Sequence, residues 1–293
     1  MAAKTSPKPA TVRLALPKGR MQEGIFKLLA DAGVPVKTGS REYRPTVPLP
    51  GFEVKLLKPQ NIVEMLHHGS RDVGFAGADW VEEKNARLVE LLDTGLDPVS
   101  IVAAAPTELL KGGKLPRRHL VIATEYERLT SQWIRKSKLD ASIVRTYGAT
   151  EVFPPEDADM IVDNTATGST LKANGLEIVD TLKRSSTRLY ANPAAMEDKG
   201  KRAELERLVL LLSSVLDARK RVMLEVNVAL DRLEEVCKVL PCMREPTISA
   251  LHGGAGYAVK AAVPRADLPD LIPRIRASGG TDIIVSSLTQ IVP

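Results

Sequence analysis

The stretch that decides the fold is DMIVDNTATGSTL, residues 159–171. Its apolar start is typical of a short buried strand that ends at Asp163. Four hydroxyl side chains and one glycine follow Asp163, and a helical turn begins at Ser169. A strand that leads through a polar loop into a helix is typical of α/β proteins, so this stretch predicts one strand–loop–helix step of an α/β fold.

Two interpretations of this loop are open on its residues alone. In the first it binds a phosphate: Gly168 lets backbone N–H groups approach an anion, and Thr167, Ser169 and Thr170 add hydroxyl donors near a helix N-terminus. Asp163 would be repelled by a phosphate and would instead accept hydrogen bonds from sugar hydroxyls, which suggests a ribose 5-phosphate. In the second interpretation the same residue types cap a short helix in a surface turn.

On either side of this stretch, strand and helix patterns alternate. Strand-like runs TVRLALP, FEVKLLK, DVGFAGA and VSIVAAAP are separated by helical patterns, and after a break at TELLKGGKLPRR the alternation restarts with HLVIATE, ASIVRTYG and DMIVDN. This predicts two units of a largely parallel α/β sheet. The run GLEIVDTLKRSSTRLYAN supplies two more strand candidates, the second returning to the first unit, and AELERLVLLLSSVLDARK predicts the clearest helix.

Residues 221–293 have a different pattern. VMLEVNVAL, PTISAL, YAVKAAVP and TDIIVSSLTQIV are typical of strands, and DRLEEVCKVL and LPDLIPRIRASG of helices. The glycine turn HGGAG joins the two middle strands. The order β-α-β-β-α-β predicts a ferredoxin-like domain.

Composition excludes several classes of function. The chain has 293 residues and a net charge of +5, without a basic stripe interleaved with aromatics, so we expect no nucleic-acid binding. No apolar run approaches the ~20 residues that span a bilayer, so we expect no membrane association. The start MAAKTSPKPA lacks an apolar segment, and Cys237 and Cys242 are interpreted as free thiols, which together predict a cytoplasmic protein.

A second group of candidate residues follows the first strand. In PKGR, Lys18 and Arg20 flank Gly19 where open α/β sheets bind ligands, and two cations beside a glycine suit a polyphosphate. A solvated pair of charges is the alternative. Lys58, between a strand and a helix start, adds a further positive charge, and Asp79 follows the glycines of DVGFAGADW.

Taken together, these segments resemble ATP phosphoribosyltransferase in its long form, which carries a regulatory C-terminal domain. The resemblance runs from about Val12 to Val292 through LPKGR, LLKPQNIVEML, RDVGFAGADW, GATEVF, ADMIVDNTATGSTLKANGL and LIPRIRASGGTDIIVSSLTQIV. It implies a two-lobed catalytic part like a type II periplasmic binding protein, followed by the ferredoxin-like domain. The implied bounds are 1–104 for lobe I, with 188–220 returning to it, 105–187 for lobe II, and 221–293 for the regulatory domain.

The resemblance also implies the chemistry and its residues. The family joins ATP to 5-phosphoribosyl 1-diphosphate (PRPP) with Mg²⁺ and releases pyrophosphate; the residues that hold Mg²⁺ are unknown. Lys18, Arg20 and Asp163 would be catalytic. The residues expected to bind PRPP are Glu151, Asp163, Asn164, Thr165, Ala166, Thr167, Gly168, Ser169 and Thr170. Those expected to line the nucleotide side are Lys18, Gly19, Arg20, Lys58, Asp79 and Tyr126.

Regulation is the third implication. The long form is feedback-inhibited by histidine and changes between dimers and hexamers, so we expect a homo-oligomer. The residues that correspond to the inhibitor contacts are Asn227, Met243, Glu245, Thr247 and Gly280. Family members can carry Asp in place of Asn227 and Ser in place of Glu245, and these two differences leave the strength of inhibition open.

Two other classes compete with this interpretation. A type I phosphoribosyltransferase has a similar acid-then-hydroxyl loop, but would predict one α/β domain without the β-α-β-β-α-β tail. A two-lobed cytoplasmic sensor would bind its ligand without turning it over.

Overall fold

The computed structural model describes residues 10–39 and 43–292. These divide into two compact units, one formed by residues 10–27, 34–39 and 43–206 and the other by residues 28–33 and 207–292. The predicted domain bounds at 104, 187 and 220 stay predictions.

The first unit is built on a mixed eight-stranded sheet. Its strands are β1 (Val12–Pro17), β2 (Phe52–Leu57), β3 (Val73–Gly77), β4 (Val89–Pro106), β5 (Leu120–Thr124), β6 (Ala141–Arg145), β7 (Met160–Thr165) and β8 (Leu176–Ala191). The α-helices between residues 20 and 219 are α1 (Arg20–Asp31), α2 (Pro59–His67), α3 (Ala78–Glu83), α4 (Glu127–Ser137), α5 (Ser169–Ala173), α6 (Pro193–Glu197) and α7 (Lys199–Arg219). The C-terminal parts of α1 and α7 belong to the second unit.

The strand order is β2-β1-β3-β8-β4-β7-β5-β6. β1 pairs in parallel with β2 and β3, and β5 pairs in parallel with β6 and β7, so each half of the sheet contains three parallel strands. The long strands β4 and β8 lie between the halves and run antiparallel to their neighbours. Two equivalent halves joined by two crossing strands form the two-lobed type II periplasmic-binding-protein-like architecture, as predicted.

The region 175–192 differs from the sequence-based expectation. Two strands were expected there, whereas β8 is one continuous strand of 16 residues. It pairs with β4 along nearly its whole length and with β3 at its end, so long-range pairing carries the extended conformation through the polar run RSST. The end of β8 does return to the first half of the sheet, as expected.

Both faces of the sheet are covered, as the apolar composition of the strands requires. In β4, Ile101, Ala103 and Ala105 pack with α4, whereas Val102 and Ala104 pack on the opposite face with Leu171 of α5 and its neighbours. The alternation of period two in this strand thus supplies two separate cores. The sheet is therefore packed on both faces beneath the loops that leave its strand ends.

The second unit contains the predicted ferredoxin-like arrangement. Its elements are β9 (Arg221–Val228), α8 (Leu233–Val239), β10 (Thr247–Ala250), β11 (Tyr257–Pro264), α9 (Leu268–Ala277) and β12 (Thr281–Ser287). The sheet order is β10-β11-β9-β12, antiparallel throughout. Alternate residues of β9, from Val222 to Val228, enter a core with Leu271 and Ile275 of α9. The HGGAG hairpin between β10 and β11 is confirmed.

Candidate functional site

Two cavities of similar size lie side by side in the first unit. The first measures about 260 Å³ and the second about 270 Å³. Arg20 and Asn164 line both, so these two side chains form a shared wall. The site is therefore one compartment with two adjoining halves.

The loop after β1 forms part of the first cavity because the chain reverses direction at Gly19. Lys18 is held to the end of β2 by a 2.8 Å hydrogen bond from its backbone N–H to the carbonyl of Leu57. Gly19 has φ +81°, a conformation that favours glycine, and α1 begins at the next residue, Arg20. Lys18 and Arg20 therefore both reach the cavity wall from opposite sides of one turn.

A buried carboxylate lies opposite this loop. Asp79, in the first turn of α3, is only 4% exposed and accepts a 2.6 Å hydrogen bond from the Ser185 hydroxyl of β8. The Ser185 oxygen in turn accepts the Asp79 backbone N–H at 3.0 Å. The Tyr126 hydroxyl, from the loop after β5, donates to the other Asp79 carboxylate oxygen at 2.8 Å. One carboxylate thus ties together three distant parts of the chain.

The hydrogen-bonded chain continues to the second cavity. The Asn164 side-chain amide donates to the Tyr126 hydroxyl oxygen at 3.2 Å and to an Asp163 carboxylate oxygen at 3.1 Å. Trp80 stacks on the Tyr126 ring with 4.7 Å between ring centroids. An unbroken path of side chains therefore connects Ser185 to Asp163.

Burial and charge shift two pKa values in this network. Burial, and then the charge of Asp79, raise the pKa of Tyr126 well above its usual value, so the phenol stays protonated at neutral pH. The pKa of Asp163 is raised to about 6, mainly by burial; the Asn164 backbone N–H opposes this increase, and the charges of Glu125 and Glu151 add to it. Asp163 is thus ionised only above the weakly acidic range.

The loop after β7 lines the second cavity. Of the nine residues predicted to bind PRPP, all except Gly168 line it: Glu151, Asp163, Asn164, Thr165, Ala166, Thr167, Ser169 and Thr170. Gly168 has φ +78° and donates its N–H to the Thr165 hydroxyl at 2.9 Å, while the Thr167 and Ser169 hydroxyl oxygens lie 3.0 Å apart. The loop is therefore a hydroxyl-capped turn that also presents its side chains to a cavity.

Four of the six residues predicted on the nucleotide side line the first cavity, namely Lys18, Arg20, Asp79 and Tyr126. Gly19 and Lys58 do not. Lys58 is exposed at the start of α2, although the next residues, Pro59 and Gln60, do line the cavity.

Sequence reasoning missed Ser185 and Trp80. Ser185 sits in the polar run RSST, and only strand pairing reveals that Ser185 and Thr187 are its buried members. Trp80 follows Asp79 directly in ADW, and an aromatic beside a candidate acid was the available signal.

The five residues predicted to contact histidine lie in different parts of the second unit. Thr247 begins the edge strand β10, whereas Gly280 directly precedes the opposite edge strand β12. Asn227 lies on β9, where its amide donates to Asp282 at 3.1 Å. Met243 lines a separate cavity of about 290 Å³ with Lys220 and Arg221, among others, and Glu245 is exposed.

Two further features bear on function. Within residues 10–39 and 43–292, no group of three or more His, Cys, Asp or Glu side chains is placed to hold a metal ion. In the same part of the chain, no helix combines the length and apolarity needed to cross a membrane.

The fold and its paired cavities define a two-lobed α/β protein with two adjoining cavities and a ferredoxin-like unit. The family model described as ATP phosphoribosyltransferase matches residues 58–214, and the model described as HisG, C-terminal domain, matches residues 218–290. The chain belongs to the ATP phosphoribosyltransferase family.

Individual relatives agree with this assignment. An ATP phosphoribosyltransferase of Pelotomaculum thermopropionicum is 38% identical over 96% of this chain and 99% of its own length. One of Desulforudis audaxviator is 37% identical over 96% of this chain and 99% of its own. Among solved structures, a chain of the ATP phosphoribosyl transferase (HisG:HisZ) complex from Thermotoga maritima is 28% identical with a TM-score of 0.62, covering 71% of this chain and 99% of that one. A type I phosphoribosyltransferase, expected to lack the tail, does not fit.

Proposed function

We propose that this protein joins N1 of the adenine of ATP to the anomeric carbon of PRPP, releases pyrophosphate and forms phosphoribosyl-ATP, the first step of histidine biosynthesis. The proposal rests on one feature of the site: the two adjoining cavities share a wall formed by Arg20 and Asn164. A reaction between two bound substrates requires their reacting atoms to approach to about 3–3.5 Å, which a shared wall permits.

PRPP suits the second cavity. Its 5-phosphate matches the hydroxyl groups of Thr167, Ser169 and Thr170, and its ribose hydroxyls are donors for the Asp163 carboxylate. Glu151, on the same cavity, would lie near the same sugar. This arrangement keeps the carboxylates away from the phosphate, which they would repel.

ATP suits the first cavity. Lys18 and Arg20 supply the positive charge that a triphosphate and a departing pyrophosphate require, and Lys58 would add to it from the nearby helix start. Trp80 and Tyr126 supply apolar surface beside Asp79 for the base and nucleoside. Arg20 is proposed to contribute to both substrates because it lines both cavities.

The chemistry needs little from a general base because N1 of adenine has its own lone pair. The cavities can therefore act by alignment, which contributes up to ~7–11 kcal/mol in well-oriented systems. Cations that stabilise the departing pyrophosphate lower the activation free energy further, and the loss of one such donor raises it by on the order of 3 kcal/mol. Lys18, Arg20 and Asp163 are the residues proposed for these tasks.

Mg²⁺ is proposed as the metal. Burial raises the pKa of Asp163 most, and the nearby charges of Glu125 and Glu151 raise it further, so this region would gain from a divalent cation. Mg²⁺ is commonly held by one or two carboxylates plus substrate phosphates and water, so no preformed protein cluster is required; Glu151 would supply a carboxylate here. When bound, Mg²⁺ would neutralise charge on the pyrophosphate that leaves.

We further propose feedback inhibition by histidine through the ferredoxin-like unit, in a cytoplasmic homo-oligomer that ranges from dimer to hexamer. Because Thr247 and Gly280 lie at opposite edges of one sheet, a site that uses both would have to include another copy of the chain.

The test of the proposal is turnover. The purified protein is incubated with PRPP, Mg²⁺ and ATP, and parallel samples contain orotate, a free purine base, or a chelator in excess over Mg²⁺. We expect pyrophosphate and a new nucleotide with ATP only, and neither with the chelator. Turnover of orotate or a free base would instead support a type I reaction, and binding without turnover would support a sensor.

A further inference from the structure

Hydrogen-bond direction along the chain from Asp79 to Asp163 is fixed by chemistry. The Tyr126 hydroxyl has a single proton, which it donates to an Asp79 carboxylate oxygen. The Tyr126 oxygen can then only accept, so the NH₂ group of Asn164, and not its carbonyl, must face Tyr126. Asp163 at the other end likewise requires a donor from Asn164. The orientation of the Asn164 amide is therefore determined.

This orientation leaves one hydrogen-bonding group of the Asn164 side chain unused. Both N–H donors are directed to protein acceptors, and the side-chain carbonyl oxygen has no partner among residues 10–39 and 43–292. Asn164 is one of the two residues that line both cavities; the other, Arg20, carries donors only. At the shared wall, the Asn164 side chain is therefore oriented as a hydrogen-bond acceptor.

We propose that Asn164 is a specificity-determining residue that accepts a hydrogen bond from the 6-amino group of the purine, and that Tyr126 is the positioning residue that holds its amide in the accepting orientation. This inference rests on the proposed function, because N1 must reach the boundary between the cavities to react. The 6-amino group is attached to the carbon next to N1 and must come to the same wall. A base with a carbonyl at this position would place one acceptor against another.

The test compares ATP with purine riboside 5′-triphosphate, which lacks only the 6-amino group. Dissociation constants of both are measured by calorimetry, without PRPP so that nothing reacts, for the wild type, Asn164→Ala and Tyr126→Phe. Matched controls are Asn61→Ala, an exposed asparagine of α2, and Tyr190→Phe, a tyrosine of β8; neither residue lines a cavity described above. Circular dichroism establishes that each variant is folded.

We expect the wild type and both controls to prefer ATP about tenfold, the effect of one hydrogen bond. In Asn164→Ala we expect the two nucleotides to bind about equally, because the dissociation constant of ATP rises while that of the analogue stays the same. In Tyr126→Phe the amide is free to rotate, and the preference falls to about two- to threefold. If Asn164→Ala is unfolded, Tyr126→Phe decides the result.

Other results overturn the inference. Equal weakening of both nucleotides by Asn164→Ala would show that Asn164 contacts a part they share, such as the ribose, and an unchanged preference in both variants would show no contact with the amino group. Either result leaves the proposed function intact if ATP and PRPP are turned over. Wild-type protein that binds ATP but does not react it with PRPP would refute the proposed function instead, and protein that does not bind ATP would refute both.

Discussion

The Tyr126 hydroxyl donates a 2.8 Å hydrogen bond to the buried Asp79 carboxylate, joining a loop of the second half of the sheet to a helix of the first. Asp79 also accepts from Ser185 on the strand that runs between the halves. A buried carboxylate is costly unless its hydrogen bonds are satisfied, so these contacts hold both halves in one relative position. The shape of the first cavity, which Asp79, Tyr126 and Ser185 line, depends on this position.

Replacement of Ser185 by Ala should destabilise the protein. The change removes a donor to Asp79 and the acceptor of the Asp79 backbone N–H, so we expect a loss of about 1–3 kcal/mol in the free energy of unfolding. Urea denaturation measures it. The exposed Ser70→Ala is the control and should change stability by less than about 0.5 kcal/mol. A Ser185→Ala variant as stable as this control would show that the contact does not stabilise the fold.

PRPP affinity should depend on pH through Asp163. The pKa of this carboxyl is about 6, raised mainly by burial, and only the ionised form accepts hydrogen bonds from both ribose hydroxyls. The ionised fraction falls as the pH drops through 6, so we expect the dissociation constant of PRPP to rise there. Calorimetric titrations between pH 5 and pH 8 measure this dependence.

Asp163→Asn separates this effect from protonation of the substrate, because phosphate groups also titrate with a pKa near 6. The variant should bind PRPP more weakly at pH 8 and should lack the part of the pH dependence that Asp163 contributes. In steady-state kinetics it should raise KM for PRPP more than KM for ATP. An identical pH profile in both proteins, or equal effects on the two KM values, would show that Asp163 does not contact the ribose.

Arg20 should affect the reaction step more than the binding of either substrate alone. It lines both cavities, and a cation beside the departing pyrophosphate acts most strongly in the transition state. We expect Arg20→Ala to lower kcat on the order of 100-fold, and Arg20→Lys to recover part of it. Arg202→Ala, at an exposed ion pair of α7, should keep kcat. A normal kcat with a raised KM in Arg20→Ala would limit Arg20 to binding.

Histidine inhibition should depend on Asn227. Its side-chain amide donates to Asp282 at 3.1 Å. Asp282 is the second residue of β12, so this contact places the Asn227 side chain near Gly280. We expect Asn227→Ala to raise the histidine concentration for half inhibition by about tenfold while kcat without histidine stays unchanged. The control is Ser249→Ala on the exposed strand β10. Equal inhibition of both variants and the wild type would place the inhibitor elsewhere.

Local patterns were sufficient to predict much of this architecture. The alternation in β9 and the helices that follow it specify the ferredoxin-like unit, because each element contributes its own apolar face. The loop from Asp163 to Thr170 carries its hydroxyl groups within eight residues, which favoured a binding loop or a capped turn equally; every residue of the loop except Gly168 lines the cavity.

Contacts between distant segments could not be predicted in the same way. Ser185 and Asp79 are 106 residues apart, and nothing in the run RSST distinguishes the serine that strand pairing buries. The continuity of β8 likewise depends on its pairing with β3 and β4. The amide orientation of Asn164 follows only when Tyr126 and both carboxylates are seen together.

The most direct test of the central claim is ³¹P NMR of the wild-type protein with ATP, PRPP and Mg²⁺, followed by mass spectrometry of the nucleotide. We predict pyrophosphate and phosphoribosyl-ATP in equal amounts, both absent when either substrate is omitted. Pyrophosphate without a new nucleotide would indicate hydrolysis of PRPP, and unchanged substrates would indicate a binding protein; either result would contradict the account.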